Sequence, residues 1–133
     1  MKDLLNKIIK AKIVYICGNG GSSATAEHMT NDLFSKGIKA ICLNSNTSIM
    51  TMIANDFGYQ YTFSKQLNIF GTANDLLITI SCSGTSPNIV EVERVAEKLL
   101  MPVYSFPTFT DGRDYEKLED EHMRLVHQLK KLL

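Results

Sequence analysis

The chain has 133 residues, with 14 lysines and arginines balanced by 14 aspartates and glutamates. That length accommodates one domain with a real core and not two, and the absence of net charge leaves no global field to recruit nucleic acid or an anionic membrane. No apolar run approaches the roughly 18 residues of a membrane span, and the amphipathic start MKDLLNKIIKAK lacks the apolar core of a signal peptide, so a cytoplasmic protein is expected. Three cysteines, Cys17, Cys42 and Cys82, are an odd number without short paired spacing, which reads as reduced and buried thiols.

In chain order, strand-like and helix-like runs alternate, the pattern of a parallel sheet covered by helices. A short opening helix precedes the apolar run Ile13 to Cys17, which reads as a buried parallel strand. GNGGSS follows and turns directly into a helical segment carrying His28 and Asp32. The free N–H groups of a first helical turn, together with the helix dipole, favour an anion at such a loop. Gly18, Gly20 and Gly21 let the backbone approach a bulky anion, and Ser22 and Ser23 offer caps or hydroxyls. Further strands are expected at Lys39 to Leu43, Asp75 to Ser81 and Pro102 to Phe106. Helical segments are expected at Thr47 to Asn55, Pro87 to Leu100 and Asp114 to Leu132, the second with proline where a first turn accepts it. No linker or repeat divides the chain, so residues 1–133 read as one α/β domain.

The loop SCSGTS, Ser81 to Ser86, repeats the design of the first: an apolar strand ends, small hydroxylated residues and a glycine follow, and a helix begins. In an open doubly wound sheet ligands bind beyond the carboxyl ends of the strands where strand order reverses, and strands one and three commonly flank that point. The two loops would then face each other, with Ser22, Ser81, Ser83 and Ser86 converging on one phosphate. There is no GxGxxG and no Walker lysine, which favours a small phosphorylated molecule over a nucleotide.

The chain has three histidines. His28 and Asp32 lie four apart on one helix face, one turn beyond the proposed phosphate site. His122 and His127 lie five apart, so they point about 140° from each other and do not share one ligand; one of them faces the site. Imidazole and carboxylate beside a sugar phosphate can act as acid and base or hold a divalent metal.

The segments CGNGGSSATAEHMTNDL, NDFGYQYTFSKQL, ISCSGTSPNIVEV and EDEHMRLVHQL, in this order and spacing, resemble the sugar isomerase (SIS) domain of the phosphoheptose isomerase family. The resemblance implies a three-layer doubly wound parallel sheet of flavodoxin-like order, about four strands here, with helices on both faces. It also implies an aldose–ketose isomerase acting through an enediol, which in that family converts sedoheptulose 7-phosphate into an aldoheptose phosphate for bacterial surface heptose. By position, the substrate-binding residues would be Asn19, Gly20, Gly21, Ser22, Asp56, Ser81, Cys82, Ser83, Ser86 and Glu119, with Asp56 near the sugar hydroxyls. A zinc ion would be held by His28, Asp32, Glu119 and His127, and Asp32 and His127 would be the catalytic proton-transfer pair.

The chain departs from that family in places. Asp32 stands where the family has glutamate, Glu119 where it has glutamine, and Lys36 where it has arginine, which loses bidentate geometry. Glu119 and His127 are eight residues apart, about 12 Å along an ideal helix, a long reach for one shared ion. Little precedes the first strand, and the segment from Phe106 to Glu116 lacks room for the family's fifth strand and its helix. The apolar stripes Leu4, Leu5, Ile8, Ile9 and Leu118, Leu125, Leu129, Leu132, Leu133, together with the need for His28 and His127 to converge from different strands, point to a homo-oligomer, dimer or tetramer, with sites at the subunit interface. The alternative to an enzyme is a non-catalytic sugar-phosphate-binding regulator of the same fold, akin to the DnaA initiator-associating protein, which needs only the serine loops.

Overall fold

The computed structural model describes residues 1–109 and 114–133. Four parallel strands, β1 (Val14–Gly18), β2 (Ala40–Cys42), β3 (Leu76–Ile80) and β4 (Val103–Ser105), form one sheet in the order β2-β1-β3-β4. Among the described residues six helices surround it: α1 (Lys2–Lys10), α2 (Gly21–Ser35), α3 (Thr47–Asp56), α4 (Ser64–Phe70), α5 (Pro87–Lys98) and α6 (Tyr115–Leu132), with a 3-10 turn at Tyr59–Tyr61. The order reverses between β1 and β3, where the doubly wound pattern expects it.

The period of two along the central strands divides the core into two layers. Val14 and Ile16 of β1, with Ile78 and Ile80 of β3, pack under α1, α2 and α6 through Leu4, Ile8, Met29, Leu33, Val126 and Leu129. Tyr15 and Cys17, with Leu77, face the other way onto α4 and α5 through Leu67, Ile89, Val92 and Ala96. All five residues of both β1 and β3 are buried, as strands covered on two faces must be. The helices thus lie on both faces of the sheet.

The expected strands run one residue past the observed ones at every end but the last of β1, where the strand continues through Gly18. Asp75, expected inside a strand, instead closes its edge: its carboxylate accepts from the Ile13 amide at 3.0 Å and from the Thr72 amide and hydroxyl at 2.8 Å. α4 was not expected. In the segment from Phe106 to Glu116, expected to be too short for a fifth strand, residues 110–113 lie outside the described residues and those flanking them form no strand.

The apolar stripes mostly cover their own sheet. Leu4, Ile8, Leu118 and Leu129 are buried, and Leu5, Leu125 and Leu133 are partly buried against the same core. Ile9 and Leu132 are left exposed. Cys17, Cys42 and Cys82 are free thiols and buried. Among the described residues no helix is long and apolar enough to cross a membrane.

Candidate active site

Three features of the first loop bring it to the switch point. Gly20 takes φ +56°, a conformation that L side chains rarely adopt, and turns the chain from β1 into α2. Gly18 is pinned by Asn44, whose amide donates to the Gly18 carbonyl at 2.8 Å and accepts from its N–H at 3.2 Å. Asn19 reaches across to the other loop: its amide group and that of Asn88 exchange two hydrogen bonds of 2.8 Å, and the Tyr59 hydroxyl also donates to Asn19 Oδ1, at 3.2 Å. Asn88, buried in the first turn of α5, thereby clamps the two loops at a fixed separation.

Between the loops lies a hollow of about 100 Å³ lined by Asn19, Ser22, Ser81, Cys82, Ser83, Ser86, Tyr115 and Glu119. The four expected serines are therefore together. Ser81 Oγ accepts from the Gly84 amide at 3.0 Å and Ser83 Oγ from the Thr85 amide at 3.2 Å. Both hydroxyls serve the loop as acceptors, so their protons are available to donate to a ligand. α2 and α5 open on this hollow without a side-chain cap, whereas α3 and α6 are capped by Asn46 and Asp114. Two uncapped helix ends and a ring of hydroxyls make a receptor for a small oxyanion. Burial, and then the nearby Glu119 carboxylate, push the Cys82 thiol up, so Cys82 enters as a neutral wall.

The second half of the site lies between α2 and α6. His28 and His127 meet edge to face, their ring centroids 5.2 Å apart. His28 Nε2 is 3.4 Å from Asp32 Oδ2. Asp32 is 3 % exposed, and its Oδ2 is buried without a hydrogen-bond partner among the described residues. Its Oδ1 accepts from Lys130 Nζ at 2.6 Å. Gly21 with Glu119, His28 with His127, and Asp32 with Lys130 occur in the same order along both helices, so α2 and α6 run parallel. The outer two contacts are eleven residues apart on each helix, about 16 Å at 1.5 Å per residue.

His122 is the structural histidine of its pair. It is fully buried, stacks edge-on against Phe106 and places Nε2 2.7 Å from the Pro107 carbonyl. The 140° divergence from His127 is thus used as the spacing predicted. Two expected placements differ. Glu119, expected both to bind substrate and to ligate the zinc, stands in the serine hollow and not with the histidines: a Cβ on Gly21 would lie 2.5 Å from its Oε1, and eight residues of helix separate it from His127. Asp56 ends α3, exposed, hydrogen-bonded to Asn55 at 2.9 Å and outside the lining of the hollow. His28 and His127 converge within a single chain, so their meeting requires no second subunit. Lys130 and Asn88 were missed by the sequence reading.

Among the described residues no three His, Cys, Asp or Glu side chains are gathered as a formed metal centre. The approach closest to one is the trio His28, Asp32 and His127, which supplies two ring nitrogens and an orphaned buried carboxylate oxygen, donors of the kind a divalent ion accepts. A larger hollow of about 770 Å³, bordered by Met52, Phe57, Ile69, Phe70 and Arg94, shares no residue with either half of the site. Its lining carries the cations Lys65, Arg94 and Lys98 and the carboxylate of Glu91, but no histidine.

The SIS domain family matches residues 2–107, which includes both loops but stops before α6. A phosphoheptose isomerase of Helicobacter pylori (strain HPAG1) is 35 % identical, covering 87 % of this chain and 71 % of that protein. One from Campylobacter jejuni (serotype O:6) is 42 % identical over a shorter stretch, 66 % of this chain and 50 % of its own. The solved structure of phosphoheptose isomerase GmhA from Neisseria gonorrhoeae superposes with a TM-score of 0.89 at 29 % identity, covering 98 % of this chain and 80 % of that one.

Proposed function

Because the chain belongs to the phosphoheptose isomerase family of SIS-domain proteins, we propose that it is an aldose–ketose isomerase of sugar phosphates, acting on sedoheptulose 7-phosphate in the formation of bacterial surface heptose. The observation that carries this reading is the alignment of two half-sites along α2: a serine-lined oxyanion hollow at its start and the orphaned Asp32 carboxylate with two histidines further along. Ser22 and Asp32 are ten residues apart, about 15 Å of helix rise. A seven-carbon sugar phosphate suits that span better than a three-carbon one.

In this mechanism Ser22, Ser81, Ser83 and Ser86 hold the terminal phosphate, fixing the sugar so that its C1–C2 end reaches Asp32. Asp32 Oδ2 takes the proton from the carbon beside the carbonyl, and His127 moves the hydroxyl proton as the enediol collapses to the other carbonyl. Zinc is the proposed cofactor, held by His28, Asp32 and His127; when bound it supplies Lewis-acid polarisation of the carbonyl oxygen. Lys130 donates to Oδ1 and so holds the carboxylate with Oδ2 toward His28.

Homo-oligomerisation in the cytoplasm belongs to the same proposal, supported by exposed Phe57, Ile69 and Phe70 on one flank. Incubation with sedoheptulose 7-phosphate, with and without zinc, followed by product analysis, tests the reading. Formation of the aldoheptose phosphate is expected. Tight binding of the sugar phosphate without turnover would favour the regulatory alternative, to which the Lys130 ion pair also lends itself.

A further inference from the structure

One of the chain's own carboxylates stands at the start of α2. Glu119, in the second turn of α6, lays its carboxylate against Gly21: a Cβ there would stand 2.5 Å from Oε1, and 2.6 Å from both Cδ and Oε2. The same side chain lines the hollow with Ser22, Ser81, Ser83 and Ser86. Cys82 on the hollow's wall feels the same charge: after burial, the Glu119 carboxylate raises its thiol. A carboxylate at an uncapped helix N-terminus is itself a favourable partner for the helix dipole. We propose that Glu119 is a resident anion of the phosphate hollow: it occupies the oxyanion position in the free protein and must withdraw before a phosphorylated ligand can seat.

This deepens the reading of the hollow as a phosphate site and rests on it. Like charges in a partly buried site repel strongly, so an incoming phosphate and the Glu119 carboxylate exclude each other. Withdrawal needs only rotation about the side-chain bonds of Glu119, which is intermediate in exposure. The cost falls on every phosphorylated ligand alike, substrate and product, because a ligand can gain only what remains after the site has been made competent. Glu119 therefore lowers affinity at the phosphate end and favours release of product. A side chain on Gly21 would meet the carboxylate and push it aside, the same movement that a ligand requires.

The test is calorimetric titration of the full chain with inorganic phosphate and with sedoheptulose 7-phosphate at pH 7, comparing the wild type with Glu119→Gln and Glu119→Ser. Both variants are expected to bind both ligands at least tenfold more tightly than the wild type. Glutamine keeps the shape and serine removes the bulk, so a folding defect in one leaves the other to decide. Unchanged or weaker binding in a folded variant, while the wild type binds phosphate, overturns the resident-anion role and leaves the phosphate site standing. Absence of binding in all three proteins, with either ligand, overturns the phosphate site itself and the inference with it.

Discussion

The two ends of the α2–α6 pair treat charge in opposite ways. At the start of α2 a carboxylate of α6, Glu119, faces the uncapped helix end and the serine hydroxyls. Eleven residues on, an ammonium of α6, Lys130, pairs with the buried carboxylate of α2, Asp32. The first end is built for an anion and holds one of its own; the second offers a carboxylate and has covered one oxygen with a cation. The difference teaches that α6 acts as more than a lid over the sheet, since it supplies at each end a side chain of the charge the ligand would otherwise bring.

Breaking the second end has the largest expected effect. Asp32→Asn removes the proposed base while keeping the shape and should lower kcat by about 10²–10⁴-fold, with sugar-phosphate affinity measured by calorimetry changing little. Loss of affinity equal to the loss of rate would mean that Asp32 holds the ligand instead. At the first end the double change Ser83→Ala with Ser86→Ala should weaken sugar-phosphate binding by a few kcal/mol, given about 1.5–3 kcal/mol for each hydrogen bond to a charged group. Here the defect should appear in KM and in phosphate affinity. Unaltered affinity would remove the serines from the ligand.

Lys130→Met sharpens the contrast from the other side. Without the ammonium both oxygens of Asp32 become available to a cation, and zinc titration should show affinity about tenfold higher than in the wild type, an expectation of one ion-pair's worth of competition. Equal affinities would place zinc away from Asp32. The smallest effect concerns Cys82. Because burial and then the Glu119 charge raise its thiol, Glu119→Gln should lower that pKa slightly, increase the thiolate at pH 8 and modestly speed alkylation of Cys82, with Cys17 unaffected in mass-mapped peptides. Burial is the larger cause, so the reaction stays slow in both proteins.

What was legible in the sequence follows the range of the forces involved. The strands before both loops, the glycine at the turn into α2 and the four serines are local patterns, and each lies where strand period and loop chemistry put it. The five-residue spacing of His122 and His127 separated a buried structural histidine from one that meets His28. α4 escaped because seven residues give too little periodicity to register; its burial rests on Phe63 and Leu67, four apart. Lys130 escaped because a lysine in the last turn of a helix reads as a solvated partner of the dipole, and only tertiary packing brings it to a carboxylate 98 residues away. Positional resemblance gave Glu119 both to the substrate and to the metal; helix rise separates it from His127, and the packing of α6 on α2 sets it with the serines. Asn88 looked like an ordinary first-turn residue, and its clamp on Asn19 exists only once the two loops face each other.

Isomerisation in deuterium oxide tests the central claim most directly. Proton abstraction by Asp32 and return through an enediol predicts that the wild-type protein converts sedoheptulose 7-phosphate to the aldose with solvent deuterium on the carbon next to the new carbonyl, while Asp32→Asn returns the ketose unlabelled. Recovery of unconverted, unlabelled ketose from the zinc-loaded wild-type protein would contradict the account.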